Sequence, residues 1–323
     1  MTVYDLAPLS LARIRTYPLA SRPGKVNVRD FAATYRAGRG MRAWLDSLPH
    51  ILAADDFRAV VNAIAAARRR RRPVFWGIGG HVIKVGLAPV LIDLMRRGYV
   101  SAIAMNGAAL VHDFEVALVG RTSEDVPEVL GRGKFGMAHE TGLYLNEAAV
   151  GAARSGIGLG EAAGKLLASR RLKPRFAPYS VLAAAYAARI PVTVHLAIGT
   201  DIPHMHPSAD GAALGEATHH DFRLFCALVQ RMRRGVYLNW GSAVLLPEVF
   251  LKAVAVARNL GTALAPITTA NFDFVQHYRP LQNVVRRPTA AVGSHGYAIT
   301  GHHEILLPLL AAALIESRGS RAR

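Results

Sequence analysis

The run Val74-Phe75-Trp76 leads into Gly77-Ile78-Gly79-Gly80-His81 and then a helix-like stretch. Glycine lets a backbone approach a phosphate, and the N–H groups at a helix start attract negative charge. The spacing is not G-x-G-x-x-G, so the standard dinucleotide fingerprint is absent, and a tight turn alone would also call for glycine. A second chemical signal is the histidines. Asp201-Ile202-Pro203-His204-Met205-His206 precedes Asp210 and His219-His220-Asp221, with His295 and His302-His303-Glu304 near the end. In an extended His-x-His both rings point the same way, and His with Asp is the usual donor set for zinc, iron or manganese. No complete ligand triad can be read from the spacing, so no metal is assigned. His206 and His303 are instead candidates for acid–base work near neutral pH.

Four carboxylates cluster in one block. Asp113 and Glu115 cannot face the same way on a helix, so they are not a catalytic pair. Thr122-Ser123-Glu124-Asp125 has the composition of a helix start, where Ser or Thr caps and acids suit the dipole. Trp76 and Trp240 each end an apolar run and are expected in the core. The single cysteine, Cys226, excludes an internal disulfide and is expected to be a small buried hydrophobe.

These residues need a scaffold, and the pattern supplies one. Apolar runs ending in turns alternate with helical stretches: a helix over 53–70, VFWGIGG, a helical stretch, YVSAIAMNG and ALVHDFEVALVG. The rhythm resumes with a helix over Tyr179 to Arg189, then IPVTVHLAIG, a helix near His220 to Arg233, GVYLNWG, a helix over Pro247 to Leu260, LAPITTANFDF and a final helix. Such alternation predicts an α/β fold: a Rossmann-like parallel sheet flanked by helices, in one large domain over 51–317. Residues 1–50 are read as an N-terminal extension and 318–323 as a basic tail. Thr200 to Thr218 is read as a long loop at a strand's carboxyl end, where open α/β sheets place their sites.

The 323 residues carry 39 Lys+Arg against 22 Asp+Glu, a net charge of +17. Part of the excess is local, in Arg68 to Arg72 and the tail, and no nucleic-acid recognition motif accompanies it. The arginine run reads as a solvated helix end, so no specific nucleic-acid partner is expected. Ile305 to Ile315 is short of the roughly 20 residues of a membrane span and contains Pro308, so no membrane association is expected. Asp5 and Arg13 interrupt any secretory leader, and the expected location is the cytoplasm.

NGAALVHDFEVALVG followed by TSEDV is similar to bacterial members of the deoxyhypusine synthase family. Other segments resemble that family in the same order. Phe75-Trp76-Gly77 through Gly86 looks like its first nucleotide-contacting turn. Ile190-Pro191-Val192 with Gly199-Thr200-Asp201 resembles its Ile-Pro-Val strand and Thr-Asp-Gly turn. Ile267 to Asp273 resembles its Asn-Thr-Ala-Gln-Glu-Phe-Asp segment, and Ile305 to Leu310 its closing helix. The resemblance spans about residues 50–315. It implies a homotetramer with sites between subunits, NAD as cofactor, and spermidine or another small amine as substrate, whose aminobutyl group passes through a lysine imine. Carried over by position, NAD contacts fall on Gly79, His81, Asn106, Gly107, Asp201 and Asp273. The two aspartates suit ribose hydroxyls.

The chain departs from the family where the chemistry is done. The position of the catalytic lysine is taken by Arg286, which cannot be deprotonated to act as a Schiff-base nucleophile. The family's catalytic histidine has no counterpart beside Glu248, and its acidic pair is Val111-His112 here. Lys84 and Lys252 are the neighbouring lysines. The expectation is therefore a transferase-like NAD enzyme of amines in which His206, Glu248, Arg286 and His303 do the substrate and proton work. The net charge further suggests a substrate bearing an acidic group, held by Arg286 or Arg287. Two alternatives stand beside it: a metal-dependent hydrolase using Asp201, His204, His206 and His303, and a non-catalytic member that binds NAD or a polyamine.

Overall fold

A computed structural model describes residues 3–317. The basic tail of 318–323 lies outside the described residues. Residues 3–39 hold two short 3-10 turns and no buried side chain. Helix α1 (Gly40–Ser47) buries Leu45, and α2 (Leu52–Arg69) follows, with Asp55 in its first turn and Arg68 and Arg69 in its last. Both charges oppose the helix dipole's own poles. Arg58 clasps the two helices by donating to the carbonyls of Leu45 at 3.1 Å and Leu48 at 3.3 Å.

Then come β1 (Val74–Ile78), α3 (Gly80–Lys84), α4 (Ala88–Arg96), β2 (Ala102–Asn106), α5 (Gly107–Val119), α6 (Val126–Leu130), α7 (His139–Ser155), α8 (Leu159–Leu167), α9 (Val181–Ala187) and β3 (Val192–His195). The second half runs α10 (Gly211–Gln230), β4 (Val236–Trp240), α11 (Leu245–Asn259), β5 (Thr268–Asp273), α12 (Tyr278–Pro280), a π-helical turn Leu281–Arg286, β6 (His295–Thr300) and α13 (His303–Glu316). The strands form one sheet in the order β3-β2-β1-β4-β5-β6, with every pair parallel. This is the strand order of dinucleotide-binding folds, and the direction of winding reverses between β1 and β4.

Alternation along the strands divides the core. Val74, Trp76 and Ile78 join a cluster with residues of α2, α4, α5 and α13, while Phe75 faces Phe225 and Phe250 of α10 and α11. Trp76 and Trp240 are fully buried and stacked at 6.0 Å, and Cys226 is buried. The arginine run ends α2 as expected: Arg68 donates to the Arg97 carbonyl at 2.9 Å and covers Tyr99, while Arg69 to Arg72 are exposed.

Four segments differ from the sequence pattern. Helices α7 and α8 gave no readable stripe because small residues, Gly142, Ala148, Ala149, Ala152, Gly160 and Ala163, make their contacts. Strand β6 pairs only with β5 and is largely half-buried, so its apolar signal is weak. The loop expected over 200–218 is shorter, because α10 begins at Gly211, with Asp210 accepting from the amides of Ala212 and Ala213.

Two buried acids tie the layers together. Asp113 accepts from the Ser180 hydroxyl at 2.6 Å and the amides of Val181 at 2.7 Å and Leu182 at 3.0 Å, so α5 caps α9. Asp221 accepts from the amides of Gly160 at 2.9 Å and Val194 at 2.8 Å, joining α10 to α8 and β3. Asp113→Ala leaves those donors buried and unpaired and should cost about 3 kcal/mol in chemical denaturation. Burial raises the Asp113 carboxyl to about 6 and that of Asp221 to about 7, against an ordinary 3.8. Because the folded values are raised, their contribution is full below about pH 4 and is lost as pH rises through 6 to 7. Asp221→Asn keeps the acceptor and removes the titration. Its stability relative to the native chain should therefore improve from pH 4 to pH 8, by roughly 1.4 kcal/mol per unit of displaced pKa.

Candidate functional site

The carboxyl ends of the strands form one continuous edge. At the reversal between β1 and β4, the Gly79 amide donates to the Trp240 carbonyl at 2.8 Å. A methyl on Gly79 would lie 2.2 Å from the Gly241 carbonyl oxygen, and Gly241 itself has φ +65°. Two glycine turns thus press together where a ligand cleft is expected in this topology. Gly79→Ala has no room to relax against backbone and should lower stability by about 2 kcal/mol or more, read as a fall in Tm.

On the β5 side of this point, Asp273 is 4% exposed, and its Oδ1 accepts from the Phe274 amide at 2.9 Å. His303, fully buried, sets Nε2 at 3.0 Å from the Phe272 carbonyl and 3.9 Å from Asp273. A carbonyl can only accept, so Nε2 carries the proton and Nδ1 is bare; it has no partner among the described residues. Burial lowers the basicity of this ring, partly offset by the Phe272 carbonyl and Asp273. His81 stands 5.2 Å from His303 and 5.8 Å from Phe274, on which His302 stacks. This end of the edge is an aromatic and imidazole wall carrying one carboxylate.

On the β2 side, Asn106 caps α5 by accepting from Ala109 at 2.9 Å. Gly107 lies against Asp201, whose carboxylate would be 2.2 Å from any added methyl. The Asp201 carboxylate accepts from the Ala197 amide at 2.8 Å, and burial raises its pKa. Beside it opens a cavity of about 250 Å³, lined among others by Lys84, Gly107, His112, Glu115, Glu124 and Asp201. A second space of about 620 Å³ shares Glu115, Ser123 and Glu124 with it and adds Arg121 and Glu140. The larger groove of about 650 Å³ by Tyr186 and Arg189 lies at the amino end of β3 and holds none of the candidate residues.

Of the residues singled out from the sequence, Gly79, His81, Asn106, Gly107, Asp201, Asp273 and His303 all fall on the carboxyl edge. His206 does not join them. It is buried against Gly142, and its Nε2 donates to the Gly136 carbonyl at 2.8 Å, pinning two loops together. Glu248 pairs with Lys252 and Arg279 and accepts from Asn283 at 2.8 Å, which lowers its pKa chiefly through Lys252. Arg286 is exposed in the π-helical turn, next to Val285, whose carbonyl abuts Gly296 at the start of β6. That places it toward the opposite end of the sheet, and Arg287 is held by Asn283 at 2.7 Å. Neither arginine lines the cavity. Among the described residues no three His, Cys, Asp or Glu side chains converge as a metal site, so the ligand set drawn from Asp201, His204, His206 and His303 does not assemble.

Lys84, His112, Glu115 and Glu124 were each noted in the sequence in other roles; what it did not show is that they form the polar wall of one cavity. Lys84 follows from α3, His112 and Glu115 from one face of α5. Thr122 and Glu124, expected to cap a helix, instead bond inward. Asp125 is the residue before α6 and caps nothing with its side chain. The Glu124 carboxylate accepts from the Gly136 amide at 2.8 Å. The i, i+3 spacing of His112 and Glu115 was the available signal.

No protein-family model and no curated protein matches the chain. Solved structures do. A candidate deoxyhypusine synthase from Entamoeba histolytica superposes with a TM-score of 0.50 at 11% identity, over 86% of this chain and 94% of that one. The fold is deoxyhypusine synthase-like. A conserved candidate LOR/SDH protein from Methanococcus maripaludis S2 gives 0.52 at 16% identity, covering 83% and 71%. The ternary complex of AgrE with ornithine and NAD+ gives 0.52 at 16% identity, over 84% of this chain but 35% of AgrE, so the chain spans about a third of that protein's length. Identities at this level speak for the fold. No helix among the described residues is long and apolar enough to cross a membrane.

Proposed function

We propose that the protein is an NAD-dependent enzyme acting on a small amine. The observation that carries this reading is the placement of Asp201 and Asp273 on either side of the paired glycine turns at the winding reversal. A ribose diol needs a carboxylate acceptor, and a pyrophosphate needs backbone without side chains. The chain offers both in one line, and the bare Nδ1 of His303 beneath Gly241 adds an unused acceptor at the same place. NAD would be held by Gly79, Asn106, Gly107, Asp201 and Asp273, and would supply a two-electron oxidant.

The cavity beside Asp201 takes the substrate. Glu124, Glu115 and Asp201 favour a cation there, and Lys84 in the same lining favours an acidic group on the same molecule. This moves the anion-holding role expected of Arg286 or Arg287 to Lys84. AgrE, about a third of whose length matches this fold, forms a complex with NAD+ and ornithine, which combines amines with a carboxylate. Passage of the product through a lysine imine at Arg286 forms no part of the proposal, because that side chain is exposed and stays protonated. Assembly as a homotetramer in the cytoplasm belongs to the same reading, and light scattering on purified protein tests the oligomer.

Calorimetric titration of the full chain with NAD should give a single saturable site, weakened about tenfold by Asp273→Ala, the loss of one charge-assisted hydrogen bond. No binding of NAD would sink the reading. With NAD present, L-lysine and cadaverine differ only in a carboxylate. Lys84→Met should weaken L-lysine binding and leave cadaverine unchanged or stronger. Binding of NAD and amine without NADH formation would favour the non-catalytic alternative.

A further inference from the structure

The cavity's histidine is held by a short chain of hydrogen bonds. His112 Nδ1 lies 2.7 Å from the Thr122 hydroxyl, and that hydroxyl lies 2.5 Å from one oxygen of Glu115. The Thr141 hydroxyl donates to the other oxygen at 3.0 Å. The directions follow from proton count. A carboxylate can only accept, so the single proton of Thr122 goes to Glu115. The Thr122 oxygen must then accept from His112, which puts the imidazole proton on Nδ1. Nε2 is left as a lone pair with no partner among the described residues, and it is not sealed in the core. Neither His112 nor Glu115 is more than about a fifth exposed, at 15% and 20%.

The surroundings keep the ring uncharged. Burial lowers the His112 pKa to about 4, with Lys84 on α3 adding to the effect. The other charged groups at the cavity are Glu115 on the same helix and Glu124 and Asp201 from the facing loops. A protonated imidazole would repel a cationic ligand, whereas a neutral one with its lone pair forward accepts a hydrogen bond from an ammonium group.

Resting on the reading of this cavity as the amine site, we propose that His112, locked as the Nδ1–H tautomer by Thr122 and Glu115, presents Nε2 as the acceptor for an N–H of the substrate's ammonium group. Thr122 and Glu115 are positioning residues: they act through the ring and fix which of its nitrogens is bare. Glu124 and Asp201 supply the compensating charge. No bond breaks in this contact, and the proton stays on the ligand's nitrogen.

The test is nitrogen NMR on the full chain labelled with 15N-histidine, with cadaverine as the probe ligand. In the native protein His112 should show the neutral Nδ1–H form from pH 8 down to about pH 5. Thr122→Val removes the acceptor at nearly constant volume. The ring should then lose its Nδ1–H preference and cadaverine binding should weaken about tenfold, while Thr122→Ser restores both and NAD affinity stays unchanged throughout. An Nε2–H or protonated ring at pH 6 in the native protein overturns the proposal, and that measurement needs no variant to fold. Equal cadaverine affinity in native and Thr122→Val protein overturns it as well. If the tautomer and cadaverine results hold but NAD does not bind, the enzyme reading falls and the His112 assignment stands. If NAD binds and the tautomer is wrong, the reverse is true.

Discussion

The contact between Gly79 and the β4 turn governs the rest of the molecule. A parallel sheet whose winding reverses between β1 and β4 leaves two neighbouring strands with connections running away from each other. The gap above their ends must be closed by backbone, because a side chain there would strike the opposite turn. The amide of Gly79 bonding to the carbonyl of Trp240, with Gly241 in a left-handed conformation beside it, achieves that closure. Below it, Trp240 stacks on Phe272 at 4.0 Å and on Trp76, so the floor under the turns is flat, aromatic and rigid. A stiff floor and a side-chain-free rim are what a flat, phosphate-bearing ligand requires.

Polar groups are distributed unevenly along that rim. On the β5 and β6 side, His81, His303, Phe274 and Asp273 make an aromatic wall with one carboxylate. On the β2 and β3 side lie Lys84, His112, Glu115, Glu124 and Asp201, with the Thr122 hydroxyl linking His112 to Glu115 and Thr141 donating to Glu115 as well. The first set suits a neutral planar group and a sugar. The second set gathers one cation and several anions around a small space, which suits a ligand with both kinds of charge. Buried acids outside the rim serve the scaffold instead. Asp113 and Asp221 accept backbone amides and join helices to one another, and burial raises the pKa of both.

The arginine run lies away from this edge. Arg69 to Arg72 are solvated at the end of α2, toward the amino ends of the strands. Lys252 and Arg279 are engaged with Glu248, and Arg287 with Asn283. The excess over neutrality is therefore compatible with a carboxylate-rich site and says little about the ligand. Lys84, at the end of the short α3, lines the cavity, and Arg121 lines the space beside it.

The sequence determined the architecture. Apolar runs closed by glycine and alternating with helical stripes are local signals, and they sufficed for a parallel α/β sheet, while the family resemblance picked out Gly79, Asn106, Gly107, Asp201 and Asp273 on its carboxyl edge. It determined less where contacts are made by small residues, as in α7 and α8, or where a strand is half-covered, as in β6. The partners of polar side chains were decided only by tertiary structure. His206, promising by spacing, is consumed by the Gly136 carbonyl from a loop 70 residues away in sequence. Arg286, aligned with a catalytic position, is exposed beside the start of β6. His112, which the sequence showed only as a departure from an acidic pair, acquires its tautomer from Thr122 and Glu115 once the following loop folds back over α5. Hydrophobic periodicity is repeated many times along a helix or strand and survives averaging. A hydrogen-bond chain depends on single atoms brought together by distant segments, and only the folded chain fixes those distances.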